Sequence, residues 1–473
     1  MTLTAGTEAP NSPVISTADL AAALLDAARA AGADQADAVI EQGASLRVSA
    51  RGGALEEAQR AENLRFGLRV LIDAPGGRRH ASVSASDATP ATLTALAERA
   101  VAMAREAPVD PSAGLAPPES LAVDPAQAAA RLGMAASDAD GGETSLSPEA
   151  LLERARAVEA AVLEVHGVSQ ADDAMAGVSR SDYALATSHG FFGRYATASE
   201  ALSVSAIAEA GGVMERDYAY SVARDPSRLR TAEDLGREAA ERAVRRLGPR
   251  RAKTGRYPVI FDRRAAAGMA RGLLGALNGD LVARGSSFLA KQEGRRIAPA
   301  GLSLIDDPSR PDGLRARPFD GEGVATREKR LIDDGVVATW LLDCDAAGRL
   351  GLESNGSAMR GMGGAPRPGA SQAWLSVADD APTPEALMAE IGEGLLVTEL
   401  MGPGLNPVTG DYSRGASGFW IEGGAVAYPV TEATLAGRWD EMLAGLAGAD
   451  DLRNEMGVEA PTLRVEGLTI GGE

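Results

Sequence analysis

A chain of 473 residues that is 45% hydrophobic and 24% charged has the composition of a folded protein of two or three domains, and its 55 glycines and 25 prolines do not make it a disordered one. Its formal charge of −19 at pH 7 repels phosphate backbones and anionic lipid, which argues against nucleic acid and membrane surfaces as partners. Lysine occurs three times, at Lys253, Lys291 and Lys329, so nearly all the positive charge is arginine; genome composition accounts for this, and arginine-lined recognition of carboxylates would look the same.

Residues 1–13 are polar and punctuated by proline, and read as a flexible tail. Ser16 and Asp19 then stand at capping-box spacing ahead of an apolar stripe of Leu20, Leu24, Leu25 and Ala28, with Gly32 as a left-handed stop, which predicts an amphipathic helix. From Asp37 to about Ser86 the pattern turns β-branched and alternating, in Ala38-Val39-Ile40, Leu46-Arg47-Val48 and 64–72, with a turn at Pro75-Gly76-Gly77. A second helix over 92–106 carries Leu93, Leu96, Ala97, Ala100 and Val101 on one face. Helix, strands and helix in that order predict a two-layer α+β domain over 14–106.

Residues 107–147, rich in Pro, Ala, Gly and Asp, read as a linker. Ser147-Pro148-Glu149 opens a helix with a hydroxyl cap and proline at its first position, ending near His166. Strand-like runs fill about 167–222, and Thr231 with Asp234 caps a helix that stops at Gly248-Pro249, giving a middle α+β region over 148–249. The basic cluster Arg250-Arg251-Lys253 marks a junction. Beyond it, a strand at 257–261, a small-residue helix over 264–277 and many glycine-bounded strands predict a β-rich, barrel-like domain over 250–473. The fold class is therefore α+β, with an N-terminal α+β region and a barrel-like C-terminal domain.

Several chemistries lack their residues. His80, His166 and His189 are the three histidines, and none has a second at zinc-ligand spacing. No Gly-x-Ser-x-Gly elbow, Walker A loop or Gly-x-Gly-x-x-Gly fingerprint occurs. Gly285-Ser286-Ser287-Phe288 reads as a turn or a substrate-contacting loop, since nothing nearby supplies a base to activate a serine. The lone Cys344 rules out an internal disulfide and reads as a small buried hydrophobe before a catalytic thiol. With no signal-like apolar region and no 18-residue apolar run, the cytoplasm is the expected location.

The richest stretch is 395–422, where glycines are dense among strand residues and Thr398, Glu399, Asn406, Asp411, Tyr412 and Arg414 carry polar chemistry. Such glycines let another backbone come close, and open strand edges accept an extended peptide. The alternative is a bulged hairpin built into a barrel, with Tyr412, Phe419 and Trp420 as core and Asp411 with Arg414 as a surface pair.

An ordered set of segments resembles the TldD/PmbA family, and within it the PmbA (TldE) branch. They are Leu64-Arg65-Phe66-Gly67-Leu68-Arg69-Val70, Asp110-Pro111-Ser112-Ala113-Gly114-Leu115, Arg284-Gly285-Ser286-Ser287-Phe288-Leu289, Ile305-Asp306-Asp307-Pro308, Arg317-Pro318-Phe319-Asp320-Gly321-Glu322-Gly323, the 395–422 stretch and Pro461-Thr462-Leu463-Arg464-Val465. The resemblance covers some nine tenths of the chain. It implies paired subunits enclosing a peptide-cleaving chamber, in which a TldD-like subunit carries zinc on a His-Glu-x-x-x-His helix and a later cysteine. This chain departs at both places: the comparable helix reads Gly268-Met269-Ala270-Arg271-Gly272-Leu273-Leu274-Gly275-Ala276, and 454–461 lacks cysteine. Expected, then, is a non-catalytic subunit without metal of its own, joined to a zinc-bearing TldD-like partner and acting on small or unfolded peptides. Ser286, Ser287, Thr398, Glu399, Asn406, Asp411, Tyr412 and Arg414 are its expected peptide or partner contacts. The rivals are a peptide-binding homodimer without hydrolysis, and an independent hydrolase using Ser286, Cys344 or a carboxylate pair.

Overall fold

Local signals place the helices where the sequence puts them. In this computed structural model, which describes residues 16–136, 146–453 and 455–472, the Ser16 hydroxyl accepts from the Asp19 N–H at 3.1 Å and opens α1 (Thr17–Ala31), and Gly32 closes it at φ +98°. The expected tail at 1–13 and part of the expected linker, 137–145, lie outside the described residues. Thr89 caps α2 (Pro90–Glu106), Ser147 caps α3 (Pro148–Leu163) and Thr231 caps α4 (Ala232–Arg245), each through its hydroxyl and the third N–H onward. The stretch read as a linker also holds a short helix, Pro125–Arg131, capped by Asp124.

The strand segments fuse into longer elements than their apolar runs suggest. β1 (Gln35–Arg51), β2 (Ala54–Ala74), β3 (Gly77–Ala85), β4 (Val168–Thr187), β5 (Phe192–Ala210) and β6 (Val213–Ala223) form one antiparallel sheet in the order β3-β2-β1-β4-β5-β6. The β1–β4 pairing joins the first region to the middle one within this sheet. Ala36, Ala38 and Ile40 of β1 enter the core under α1 and α2, and Leu46, Val48 and Ala50 enter the core under α3 and α4. These positions share one parity, so all four helices cover one face.

The other face meets the C-terminal half. Val39 and Leu185 cluster with Phe191 and Phe319, whose rings stand edge-on at 5.4 Å. At Gly67 the backbones are so close that a Cβ would lie 1.7 Å from the Met362 carbonyl oxygen. Beside it Asp37 sits between two guanidiniums: Arg69 donates from Nε at 2.8 Å, and Arg360 pairs with the other carboxylate oxygen.

The C-terminal half contains the closed barrel expected of it. α5 (Arg263–Ala276), capped by Asp262, packs against five strands, β7 (Gly255–Phe261), β8 (Glu393–Leu405), β9 (Asp411–Glu422), β10 (Ala425–Arg438) and β11 (Leu463–Gly471). They pair in that order, and β11 closes the ring by bonding to both β7 and β10. Phe261, Leu395, Val397, Trp420, Leu435 and Val465 share one core with Met269 and Leu273 of α5. A second sheet centres on Ser303–Asp306, flanked by Lys329–Asp333 and Ala373–Ser376, and the latter takes Val458–Glu459 alongside in parallel.

Candidate functional site: a groove along an open strand edge

β6 ends the six-stranded sheet and pairs with β5 alone in it. Its sequence alternates, with Asp217, Ala219, Ser221 and Ala223 buried on the helix side and Tyr218, Tyr220 and Val222 on the other. The rings of Tyr218 and Tyr220 stack at 6.1 Å, two residues apart on one face. The Tyr218 carbonyl accepts from Nη1 of Arg264 at 3.3 Å, which marks it as pointing off the sheet. Backbone groups of a strand alternate in direction, so those of Tyr220 and Val222 point the same way. This is a strand edge able to accept another strand.

Two adjoining cavities of about 420 and 390 Å³ run along this edge and share Ser221, Val222, Arg453, Glu455 and Met456 as lining. Residues 310–315 and 455–460 form the opposite wall, and α5 closes one end with Arg263, Arg264, Ala267 and Arg271. A Cβ on Gly457 would fall 2.1 Å from Cδ of Arg315, so only glycine lets that arginine's stem lie across the wall.

The arginines here differ in what answers their charge. Arg230 and Arg242 both pair with Glu238; burial works to raise that carboxyl, but the two cations outweigh it and hold it below the usual value. Arg264 binds Asp217 at 2.8 Å, Asp217 binds Arg246 at 3.1 Å, and Arg246 binds Glu399 at 2.6 Å. Arg263 reaches Asp451 at 3.5 Å and Arg453 reaches Glu455 at 3.8 Å. Arg271 and Arg315 have no side-chain hydrogen bond or ion pair with any described residue. Burial and the charges of Arg317 and Arg271 lower the Arg315 pKa, outweighing the opposite pull of Asp306. Glu459, in the same wall, accepts from the N–H groups of Glu455 and Met456, and burial raises its carboxyl.

The residues singled out from sequence are spread over several places. Glu399 reaches the groove through the ion-pair chain that ends on Arg264. Arg414 extends over α5, with Nη1 3.2 Å from where a Cβ on Gly268 would stand. Tyr412 is buried against Trp439, and burial pushes its hydroxyl up to about 12. The Thr398 hydroxyl is buried without a partner among the described residues. Asn406 caps a tight turn, accepting from the N–H of Val408 and, more weakly, that of Thr409. Asp411 pairs with Arg438 at 3.4 Å and not with Arg414, because residues three apart in a strand face opposite sides. The Ser287 hydroxyl donates to the Ala276 carbonyl at 2.6 Å, fixing the end of α5, and Ser286 sits beside it, half-buried, in the turn that follows.

The groove residues the sequence did not single out are Tyr218, Tyr220, Arg271, Arg315 and Arg453. The alternation Tyr218-x-Tyr220-x-Val222 was a local signal for an exposed aromatic strand face. Arg264 and Arg271, seven apart, were a signal for one helix face.

A second polar cluster gathers Asp320, Glu322, Asp343 and Cys344. Burial, with Asp320 and Asp343 nearby, pushes Glu322 up to about 8, and it accepts from the Cys344 N–H at 2.8 Å. Burial, then Glu322, raises the Cys344 thiol and disfavours the thiolate. Neither this cluster nor the groove fits a divalent cation: α5 offers the groove arginines and alanine, and among the described residues no group of three or more His, Cys, Asp or Glu side chains is placed to hold a metal.

Comparison with known proteins agrees along the chain. Residues 36–104, 142–247 and 254–472 match the PmbA/TldA metallopeptidase domain 1, central domain and C-terminal domain families in turn. The chain is 34% identical to metalloprotease PmbA of Escherichia coli O157:H7 over 93% of both chains, and 30% identical to a PmbA homologue of Haemophilus influenzae over 92% of both. The crystal structure of TldE from Thermococcus kodakarensis superposes with a TM-score of 0.77 at 22% identity, over 96% of this chain and all of that one. That last likeness concerns the fold alone.

Proposed function

We propose, from the premise that this chain belongs to the PmbA/TldD family of metallopeptidases, that it is the peptide-holding subunit of a heteromeric peptidase whose TldD-like partner supplies the zinc. The observation that carries this reading is the open edge of β6 running along a groove. An extended peptide added there would bond through its main chain to Tyr220 and Val222 and lay alternate side chains over Tyr218 and Tyr220. Main-chain pairing of this kind is indifferent to sequence, which suits small or unfolded peptides as substrates. The helix nearest the groove carries arginine where a hydrolytic centre needs ligands, so this chain orients and retains peptide while water activation belongs to the partner. Arg264, Asp217 and Arg246 hold β6, α4 and α5 in fixed relation and keep the groove at one width.

The test mixes this chain with a metal-bearing relative and follows zinc content and peptide turnover, alone and together. Turnover should appear only in the mixture, with zinc in the partner. Val222→Pro, which removes an outward N–H from an edge strand that tolerates proline, should lower turnover about tenfold or more without unfolding the protein. Stoichiometric zinc and peptide cleavage by this chain alone would overturn the assignment.

A further inference from the structure

We infer that the α5 end of the groove is a carboxylate-binding subsite, in which Arg271 and Arg315 grip the C-terminal carboxylate of the peptide laid along β6. This rests on the peptide-holding role above and adds the chemical class of what is held. Two observations support it besides the groove itself.

The first is the imbalance of charge. Of the arginines lining the cavity beside α5, Arg230, Arg242, Arg263, Arg264 and Arg453 each have an acid within 4.0 Å. Arg271 and Arg315 have none among the described residues, although both line the same cavity. Arg315 is kept there by glycine at position 457, as the forbidden Cβ position shows. Two guanidiniums with free forks lining one cavity attract an anion, and the planar fork suits a carboxylate in particular.

The second is where they stand. Arg271 and Arg315 line the same cavity as Tyr218 and Tyr220, and Tyr218 is the β6 residue whose carbonyl meets α5. A strand bonded antiparallel to β6 therefore runs its C-terminus toward the two arginines. At roughly 3.3 Å per residue, the stretch of β6 from Tyr218 to Val222 accommodates a peptide of about five or six residues before the groove leaves the strand. A peptide held by its C-terminus is measured from that end, so the subsite sets the length of peptide presented.

The experiment uses the full chain and an N-terminally fluorescein-labelled Ala-Ser hexapeptide in three forms: free acid, C-terminal amide, and amide with one central glutamate. Fluorescence anisotropy gives Kd for the protein and for Arg271→Ala, Arg315→Ala, Arg271→Lys and Val222→Pro. The free acid is expected to bind about tenfold or more tighter than the amide, and each alanine variant should erase that difference. Lysine at 271, which keeps the charge without the fork, should restore part of it. If the glutamate amide binds as tightly as the free acid, the subsite takes a side-chain carboxylate and the terminal assignment is overturned. Equal binding of acid and amide, with Val222→Pro still weakening both, overturns the carboxylate subsite and leaves the peptide groove standing. Binding that Val222→Pro does not alter sinks the groove, and this inference with it.

Discussion

Replacing Asp37 by alanine should cost the protein about 3–5 kcal/mol, a large effect for one surface-remote residue outside the apolar core. Asp37 on β1 is, among the described residues, the one acid in ion-pair contact with both Arg69 on β2 and Arg360 of the C-terminal half, and the side chains of all three are almost fully buried, at 2%, 6% and 1% exposure. Burial alone would raise the Asp37 carboxyl, but Arg360 and Arg69 outweigh it and hold it below the usual range. Alanine removes the anion and leaves two desolvated cations facing each other. The loss is therefore set by uncompensated buried charge and not by the small volume removed. Arg60 and Glu62, by contrast, form an ion pair whose side chains are 66% and 64% exposed, and Arg60→Ala should change stability by about 0.5 kcal/mol or less.

The assay is urea unfolding followed by two probes. All four tryptophans, Trp340, Trp374, Trp420 and Trp439, lie in the C-terminal half, so fluorescence reports that half while far-UV circular dichroism reports the whole chain. Because Asp37 joins the two halves, its loss should bring the dichroism transition to lower urea first and separate it from fluorescence. Replacing the whole triad with apolar residues, Asp37→Leu with Arg69→Met and Arg360→Met, should recover most of the loss, since no charge is then stranded. An Asp37→Ala cost below about 1 kcal/mol, or a triple variant less stable than the single one, would refute this account of the junction.

Glu322→Gln tests the second polar cluster. Its folded pKa, pushed up to about 8, lies above the ordinary 4.5, so the folded protein binds the extra proton between those values, and the stability it contributes is present at low pH and lost as pH rises through about 8. Glutamine keeps the acceptor for the Cys344 N–H without titrating; it should flatten the stability profile above about pH 5 and leave the variant the more stable of the two near pH 9, whereas parallel profiles would contradict the assignment. Gly67→Ala should destabilise by about 1–3 kcal/mol or more, read by thermal melting, because its Cβ would overlap the Met362 carbonyl; Gly361→Ala, whose Cβ meets nothing within 4 Å, is the neutral control.

Helix starts were legible where a cap was read, because a cap is local: Ser16, Ser147 and Thr231 each act within three residues of themselves, while the helix expected from 92 begins two residues earlier, behind Thr89. Strand lengths were not. Glu41-Gln42-Gly43 interrupts the apolar pattern of β1, yet the strand runs through it because β2 and β4 hold the backbone from both sides, and the Arg180 carbonyl stands 3.0 Å from where a Gly43 Cβ would be. In 395–422 the barrel alternative described the packing of Tyr412, Phe419 and Trp420, all buried, but it paired Asp411 with Arg414 by nearness in sequence. The groove was hidden for a different reason. Its lining comes from β6, α4, α5, 310–315, Arg453 and 455–460, and whether an arginine is free cannot be told until every acid has been placed. Glu399 shows the difference: chosen from sequence as a contact, it meets the groove through Arg246 and Asp217.

The same physics bears on the proposal that this groove holds peptide while the metal-dependent step belongs to a partner. A metal-bound nucleophile needs neutral imidazole or anionic ligands converging on one point, and cations beside that point repel the ion. Arg263, Arg264, Arg271 and Arg315, which line the cavity beside α5, would oppose a divalent cation there by the same charge that would draw a carboxylate. On the proposed reading, the arginine on this helix is a change of task and not merely a loss of ligands: metal-bound hydrolysis would belong to the partner, and an anchor for the peptide's charged end would take its place. Restoring histidines to α5 alone should consequently fail to create a zinc site, because the guanidiniums across the groove would still oppose the ion.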